Sequence, residues 1–461
     1  MLFTSLLLAV LAFTGPTDLV PAHWPSSDPH SLELLAQSPI NCLLIPESAW
    51  SADFIEAAHT RKLTVLAWIQ PGSSATARVK NALRFNVDGA VLEGDFKIQE
   101  VQSLRSQLET SSKIFVELGL RNRIPFEANA PAIIGTFQGV WAGLNPRAEG
   151  AAHAAPSGAP WIDTNGGFLR FVRSASDRVF WLGAQPPTQS ILNASRYQQM
   201  ISDAATVGAR WVVSFDSDFF DRLIRREVKA LNDLKRINQT LKFFEANRGL
   251  QQLPAYGQLT VVDDIQSGAL ISGSVLDMIS VNHTPVRPIR NQGLVPKALA
   301  QSKMVVSVDP AALDPGQEQI LKDFRRAGGT VLSTPPGWRM AAPKPGQFVT
   351  DSEEVNKLDK IWREVNALMG RRNLGVRLFN VSSMLSNLVG APDGSRLVLY
   401  LVNYSDFPVD TIAAHFLGKF SKITLYLPDR APRKLVPYDN EDGTGVDVDI
   451  VESAAILIAE R

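Results

Sequence analysis

Two carboxylates close a short apolar run in Val87-Asp88-Gly89-Ala90-Val91-Leu92-Glu93-Gly94-Asp95-Phe96. A buried strand that delivers acids at its carboxyl end is how (β/α)-barrels present reactive groups. Other acids stand at comparable places. Glu117 alternates with Val116 and Leu118, Asp163 and Asn165 lie in Trp161-Ile162-Asp163-Thr164-Asn165-Gly166-Gly167, and Asp216 and Asp218 follow Val213-Ser214-Phe215. Two such carboxyl groups, one protonated and one ionised, perform general acid and base catalysis when they face each other. Each also has a structural alternative. Glu117 suits a polar layer inside a barrel, Asp163 or Thr164 suits the cap of a helix near Gly166, and Asp218 suits the cap of the helix at Asp221. Glu93 and Asp216 follow their strands directly and have the weakest structural alternatives. Glu93 as acid/base with Asp216 or Asp163 as partner is the pair that the sequence suggests.

The elements that must hold these acids alternate from about residue 18 to 250. Strand-like runs at 19–23, 41–45, 63–68, 89–92, 113–118, 133–141, 178–182 and 210–215 mostly begin one βα unit apart, with helical periodicity between them. Val101, Leu104 and Leu108, for instance, share one helix face. Eight units predict a closed (β/α)8 TIM barrel. The Gly-, Ala- and Pro-rich stretch 143–160 predicts a long loop at the face that carries the acids. A second α/β pattern occupies 256–345, in which Asp314-Pro315-Gly316-Gln317 predicts a capped helix start. Residues 335–348 carry four prolines and read as a linker. From 370 to 461 the patterning becomes that of a small antiparallel β-sandwich.

The segments Met304-Val305-Val306-Ser307-Val308-Asp309-Pro310, 314–329 and Thr330-Val331-Leu332 resemble a flavodoxin-like or class I amidotransferase-like domain. Leu401-Val402-Asn403-Tyr404-Ser405-Asp406-Phe407-Pro408-Val409 is similar to strands of C-terminal β domains. In this order the three parts resemble glycoside hydrolases built like the family 42 β-galactosidases. The resemblance implies cleavage of an oligo- or polysaccharide by two carboxyl groups. These stand about 5–5.5 Å apart for retention or roughly 6.5–9.5 Å apart for inversion. In that clan an Asn-Glu pair ends the fourth strand, whereas Leu92 precedes Glu93 here. The alternative is a carbohydrate-binding protein on a barrel that has lost catalysis. Amidotransferase chemistry is excluded, because it needs a cysteine in the middle part and Cys42 is the only one. The middle part is then structural, or a surface through which copies associate.

Trp24, Trp68, Trp141 and Trp181 stand at or just past strand ends. Their rings suit the C–H faces of sugars, with Gln70, Gln138, Gln185, Asn165 and Glu117 as hydroxyl partners. Core packing is the competing role of each tryptophan. Balanced charge, 46 basic against 46 acidic residues, and the lack of a basic stripe argue against nucleic acid as partner. One cysteine excludes an intramolecular disulfide, and six scattered histidines show no metal-ligand spacing, so neither metal nor cofactor is expected. The apolar start, 1–17, resembles a secretory signal and is too short to span a bilayer, which predicts a secreted or periplasmic protein.

Overall fold

The computed structural model describes residues 16–461 apart from 73, 142–143, 147–151, 155–163, 187–191, 265–267, 339, 341–351 and 371–373. The leader expected at 1–17 and the candidate acid Asp163 therefore lie outside the described residues, apart from Pro16 and Thr17. Eight strands form one parallel sheet: β1 (Pro21–His23), β2 (Cys42–Ile45), β3 (Thr64–Ile69), β4 (Gly89–Glu93), β5 (Ile114–Gly119), β6 (Ile133–Thr136), β9 (Val179–Leu182) and β10 (Arg210–Trp211). A short hairpin, β7 (Leu144–Pro146) with β8 (Ala152–Ala154), interrupts the long loop. The sheet closes on itself, because His23 N donates to Val213 O at 2.8 Å and Val213 N donates to Pro21 O at 3.0 Å. The barrel expected from the strand spacing is therefore present.

Period-two alternation sorts each strand. In β4, Ala90 and Leu92 pack outward under the helices while Val91 joins Leu44, Leu66, Val116, Leu118 and Trp181 inside the barrel. Cys42 lies in that interior too, where burial pushes its thiol far above the ordinary range. It is a small core hydrophobe. Around the barrel run α1 (Ala52–Thr60), α2 (Ala75–Arg84), α3 (Ile98–Thr110), α4 (Asn165–Ala175), α5 (Ala194–Thr206), α6 (Ser217–Ile224) and α7 (Val228–Ala246). Between β5 and β6 only the 3-10 turn Arg121–Arg123 forms. Pro125 and Pro131 leave too little uninterrupted chain there for a helix.

The middle part is a four-stranded parallel sheet in the order β12 (Val286–Arg290), β11 (Leu259–Asp263), β13 (Met304–Ser307) and β14 (Thr330–Ser333), with α8 (Gly268–Val281) and α9 (Pro315–Arg326). The capping box read from the sequence is formed. Asp314 Oδ1 accepts from Gln317 N at 2.8 Å, and Gln317 Oε1 accepts from Asp314 N at 3.0 Å. After α10 (Ser352–Met369), antiparallel sheets of four and five strands enclose Leu399, Leu401, Phe416, Ile423, Val448 and Leu457.

The parts meet at α4. Asp277 of α8 caps it from outside: its carboxylate accepts from Thr164 N at 2.8 Å, from Thr164 Oγ1, and from Gly167 N at 3.2 Å. The contact requires glycine at 167, since a Cβ there would lie 2.2 Å from Gly273 O and 2.5 Å from Asp277 N. Arg170, buried one turn on, donates to Ser280 Oγ of α8 and to Ser386 O and Asn387 Oδ1 of the C-terminal strand Met384–Gly390. Gly167→Ala should force α4 and α8 apart and lower stability by about 1–3 kcal/mol. Chemical denaturation would measure this, and an unchanged midpoint would show that the helix contact is not tight.

Candidate functional site at the barrel mouth

The alternation that places Val91 inside the barrel also points Glu93 inward at the carboxyl end of β4. There it is buried, with 5% of its surface exposed. Gly94 follows with φ +134°, a conformation that L side chains rarely adopt, and a Cβ there would meet the Pro71 ring at 2.5 Å. The glycine between the two acids is thus the turn that takes the chain off the strand. Asp95 leaves the mouth and pairs with Arg123 at 2.7 Å in an exposed position.

The partners of Glu93 come from β1 and from the end of β9. His23 Nε2 stands 3.0 Å from Glu93 Oε2, an ion-pair distance, although the oxygen lies off the ring N–H direction and accepts no hydrogen bond. Gln185 Nε2 is 3.4 Å from both Glu93 Oε1 and His23 Nε2. The Trp68 ring meets His23 edge-on, with centroids 4.6 Å apart. Three polar atoms on strand ends are buried here without a protein partner, His23 Nδ1, Trp68 Nε1 and Ser214 Oγ, and Glu93 Oε2 has the His23 ion pair but no hydrogen bond. Leaving a buried polar atom unpaired costs on the order of 1–3 kcal/mol, so such a concentration suits a ligand. Ser214 follows the inward Val212 and outward Val213, and so faces the same mouth.

The other candidates are placed differently. Asp216 is the N-cap of α6: Oδ1 accepts from Phe219 N at 2.9 Å and Oδ2 accepts from the Tyr197 hydroxyl at 2.7 Å. Asp218, the cap suggested by the sequence, is instead a first-turn residue paired with Arg222. Glu117 shares its strand face with the outward Phe115, not with the inward Val116 and Leu118, and so does not belong to a polar layer inside the barrel. Burial raises its pKa, against the pull of Arg105 and Arg123. Asn165 is fully buried and braces the backbone. Its Oδ1 accepts from Val140 N at 2.8 Å, and its Nδ2 donates to Val140 O at 2.9 Å and to Asp203 at 2.8 Å. Gln138 Oε1 accepts from Arg121 N at 2.7 Å, tying the ends of β5 and β6 together.

Of the four tryptophans, only Trp68 borders Glu93's surroundings. Trp24 is core, with its indole N–H donated to Ser31 Oγ at 3.0 Å and its ring against Phe220. Trp181 fills the barrel interior. Trp141 packs behind the mouth on Tyr197 and Trp211, and its Nε1 donates to Gln185 O at 3.1 Å, which holds Gln185 in place. Sequence reasoning missed His23 and Ser214. The available signal was a polar residue one step from a chosen one, in phase with inward apolar neighbours.

No family model matches the chain, and no curated protein matches it. Among solved structures it is similar to the α-L-fucosidase isoenzyme 2 from Paenibacillus thiaminolyticus, at 9% identity and a TM-score of 0.60, over 96% of this chain and 99% of that one. It is similar also to a GH42 β-galactosidase from G. stearothermophilus, at 9% identity and a TM-score of 0.52, over 96% of this chain and 98% of that one. At such identity the likeness shows the fold alone, and the fold is a TIM barrel with a C-terminal β domain.

Two outcomes follow from these placements. Asp216→Ala should cost about 1–3 kcal/mol through the lost cap and phenol bond. Chemical denaturation would measure this, and an unchanged midpoint would remove the cap and phenol bond as a source of stability. For Glu117 the raised pKa means that the folded state holds the proton more tightly than the unfolded chain. Its contribution is therefore favourable at low pH and is lost as pH rises from the ordinary glutamate value, about 4.3. Glu117→Gln should show a smaller fall in Tm between pH 4 and pH 7 than wild type, and an equal fall would remove Glu117 as a source of that dependence.

Proposed function

We propose that the protein is a glycoside hydrolase acting on oligo- or polysaccharide, with Glu93 as its acid/base. The observation that carries this reading is the group of partnerless polar atoms around a buried carboxyl at the mouth of a glycosidase-like barrel. A sugar hydroxyl can donate to Glu93 Oε2, accept from Trp68 Nε1, and do either with Ser214 Oγ. The half-buried Trp68 adds an apolar surface for ring C–H groups. His23 acts as a positioning residue, since its imidazole lies against Glu93 and is itself held by Trp68.

Hydrolysis needs a second carboxyl. Asp95 is paired outside the mouth, and both oxygens of Asp216 are engaged in the cap and the phenol bond. By elimination among the acids that the sequence offers, we assign the partner role to Asp163. In the same reading the chain is exported, and the middle α/β part serves as structure or as a surface between copies.

A second reading rests on Gln185. The group nearest Glu93 Oε1 from across the mouth is an amide, which binds hydroxyls but neither attacks carbon nor activates water. A barrel with an amide at this place suits sugar binding without turnover.

A panel of aryl glycosides assayed with wild type, Glu93→Gln and Asp163→Asn separates the two. Hydrolysis by wild type that falls at least a hundredfold in both variants, with folding intact, is the expected result. Full turnover by Glu93→Gln would remove Glu93 from the mechanism. No turnover by wild type, together with calorimetric sugar binding that Glu93→Gln weakens, would establish the binding reading.

A further inference from the structure

A second place that could hold a ligand is a cavity away from the barrel mouth. It has a volume of about 820 Å³ and opens where the amino ends of the strands meet the two other parts of the molecule. Val20, Val179 and Ala209 contribute from the barrel, Pro288 to Arg290 from the end of β12, and Asn387 and Val389 from the C-terminal strand. Its volume falls within the usual range of small-molecule sites, and junctions between domains are a common place for them.

Its charge is one-sided. The lining acids are Asp177 and Glu245, and Glu245 is already held by Arg210 at 2.8 Å. Arg248 pairs with Asp18 at 2.9 Å, and Arg170 faces the field of Asp277 and Asp203. Three guanidiniums remain. Arg173 donates only to the carbonyls of Val207, Arg178 and Gly208, and Arg178 donates to the carbonyl of Ala128. Arg290 makes no hydrogen bond or ion pair among the described residues. Against these three stands Asp177, at the exposed rim. Burial and the nearby Arg248 disfavour the charged form of Arg173, and Asp177 only partly compensates. Guanidiniums gathered around an open cavity without matching carboxylates favour an anion, and their planar forks fit phosphate oxygens bidentately.

We propose that this cavity is a binding site for a small molecule carrying a phosphate or diphosphate group. Arg290 is its free contact, and Arg173 and Arg178 form the fixed wall. The site is separate from the barrel mouth and does not rest on the hydrolase reading.

Isothermal titration of the full chain with inorganic pyrophosphate, at ionic strength held constant with sodium chloride, tests it. Saturable one-to-one binding is expected, weakened at least tenfold by Arg290→Gln and by Arg178→Gln and unchanged by Glu93→Gln. Because Arg290 has no partner to lose, Arg290→Gln should melt no lower than wild type in the absence of anion. Absence of saturable binding to wild type, or wild-type affinity in both arginine variants, would overturn the proposal. Tighter binding of citrate than of pyrophosphate would overturn the assignment to phosphate.

Discussion

The arrangement depends on how the first turn of α4 is held. A helix start exposes unpaired N–H groups and a positive dipole end, and two buried carboxylates meet it here. Asp277 arrives from the middle part and takes Thr164 and Gly167, while Asp203 of α5 takes Asn165. Burial raises the Asp203 pKa, and the donations from Asn165 work against that rise. The consequence reaches the mouth through positioned atoms. Asn165 grips both backbone groups of Val140, and Val140 carries Trp141. Trp141 in turn fixes the carbonyl of Gln185, whose amide faces Glu93. The contact between domains is thus also part of the support of the site.

At the mouth itself, chemistry follows from what lies below. The barrel interior is filled with Leu, Val, Cys and Trp, so no water column reaches Glu93 from beneath, and its surroundings are apolar on one side and polar on the other. Electrostatic interactions in such a place are stronger than in water. The groups that face the Glu93 carboxyl there are an imidazole and an amide. The overall fold does not decide between bond cleavage and binding, because the same barrel supports both. Whether a second carboxyl meets Glu93 does.

Much of the fold was legible in the sequence because it rests on local rules. Strand spacing, the Asp314 capping box and the buried role of Cys42 each need only a short window of residues. The inward or outward phase of a strand is different. Period two shows that His23 and Trp24 face opposite ways, but only the closed barrel shows which of them faces in. The one-residue choice of Trp24 therefore missed His23, and the same ambiguity placed Glu117 inside when Val116 and Leu118 hold that position. The capping role of Asp216 was hidden for a related reason. An acid directly after a strand can serve a substrate or open the next helix, and the deciding partner, Tyr197, lies on another helix.

Neutral composition concealed a further distinction. With equal numbers of acidic and basic residues, the chain has no net charge to draw a ligand from a distance. Folding nevertheless separates charge locally. Among the described residues the carboxyl end of the barrel presents a buried acid, Glu93, beside polar donors and acceptors, while the amino end gathers guanidiniums whose counter-charges are only partly supplied. Polar partnerlessness at one end and charge excess at the other are different physical demands. The first suits a neutral, hydroxyl-rich ligand that exchanges hydrogen bonds with water at little cost. The second suits an anion, whose desolvation is offset only where fixed positive charge already waits. A single molecule does not satisfy both, so the two ends are best understood as separate sites on one barrel.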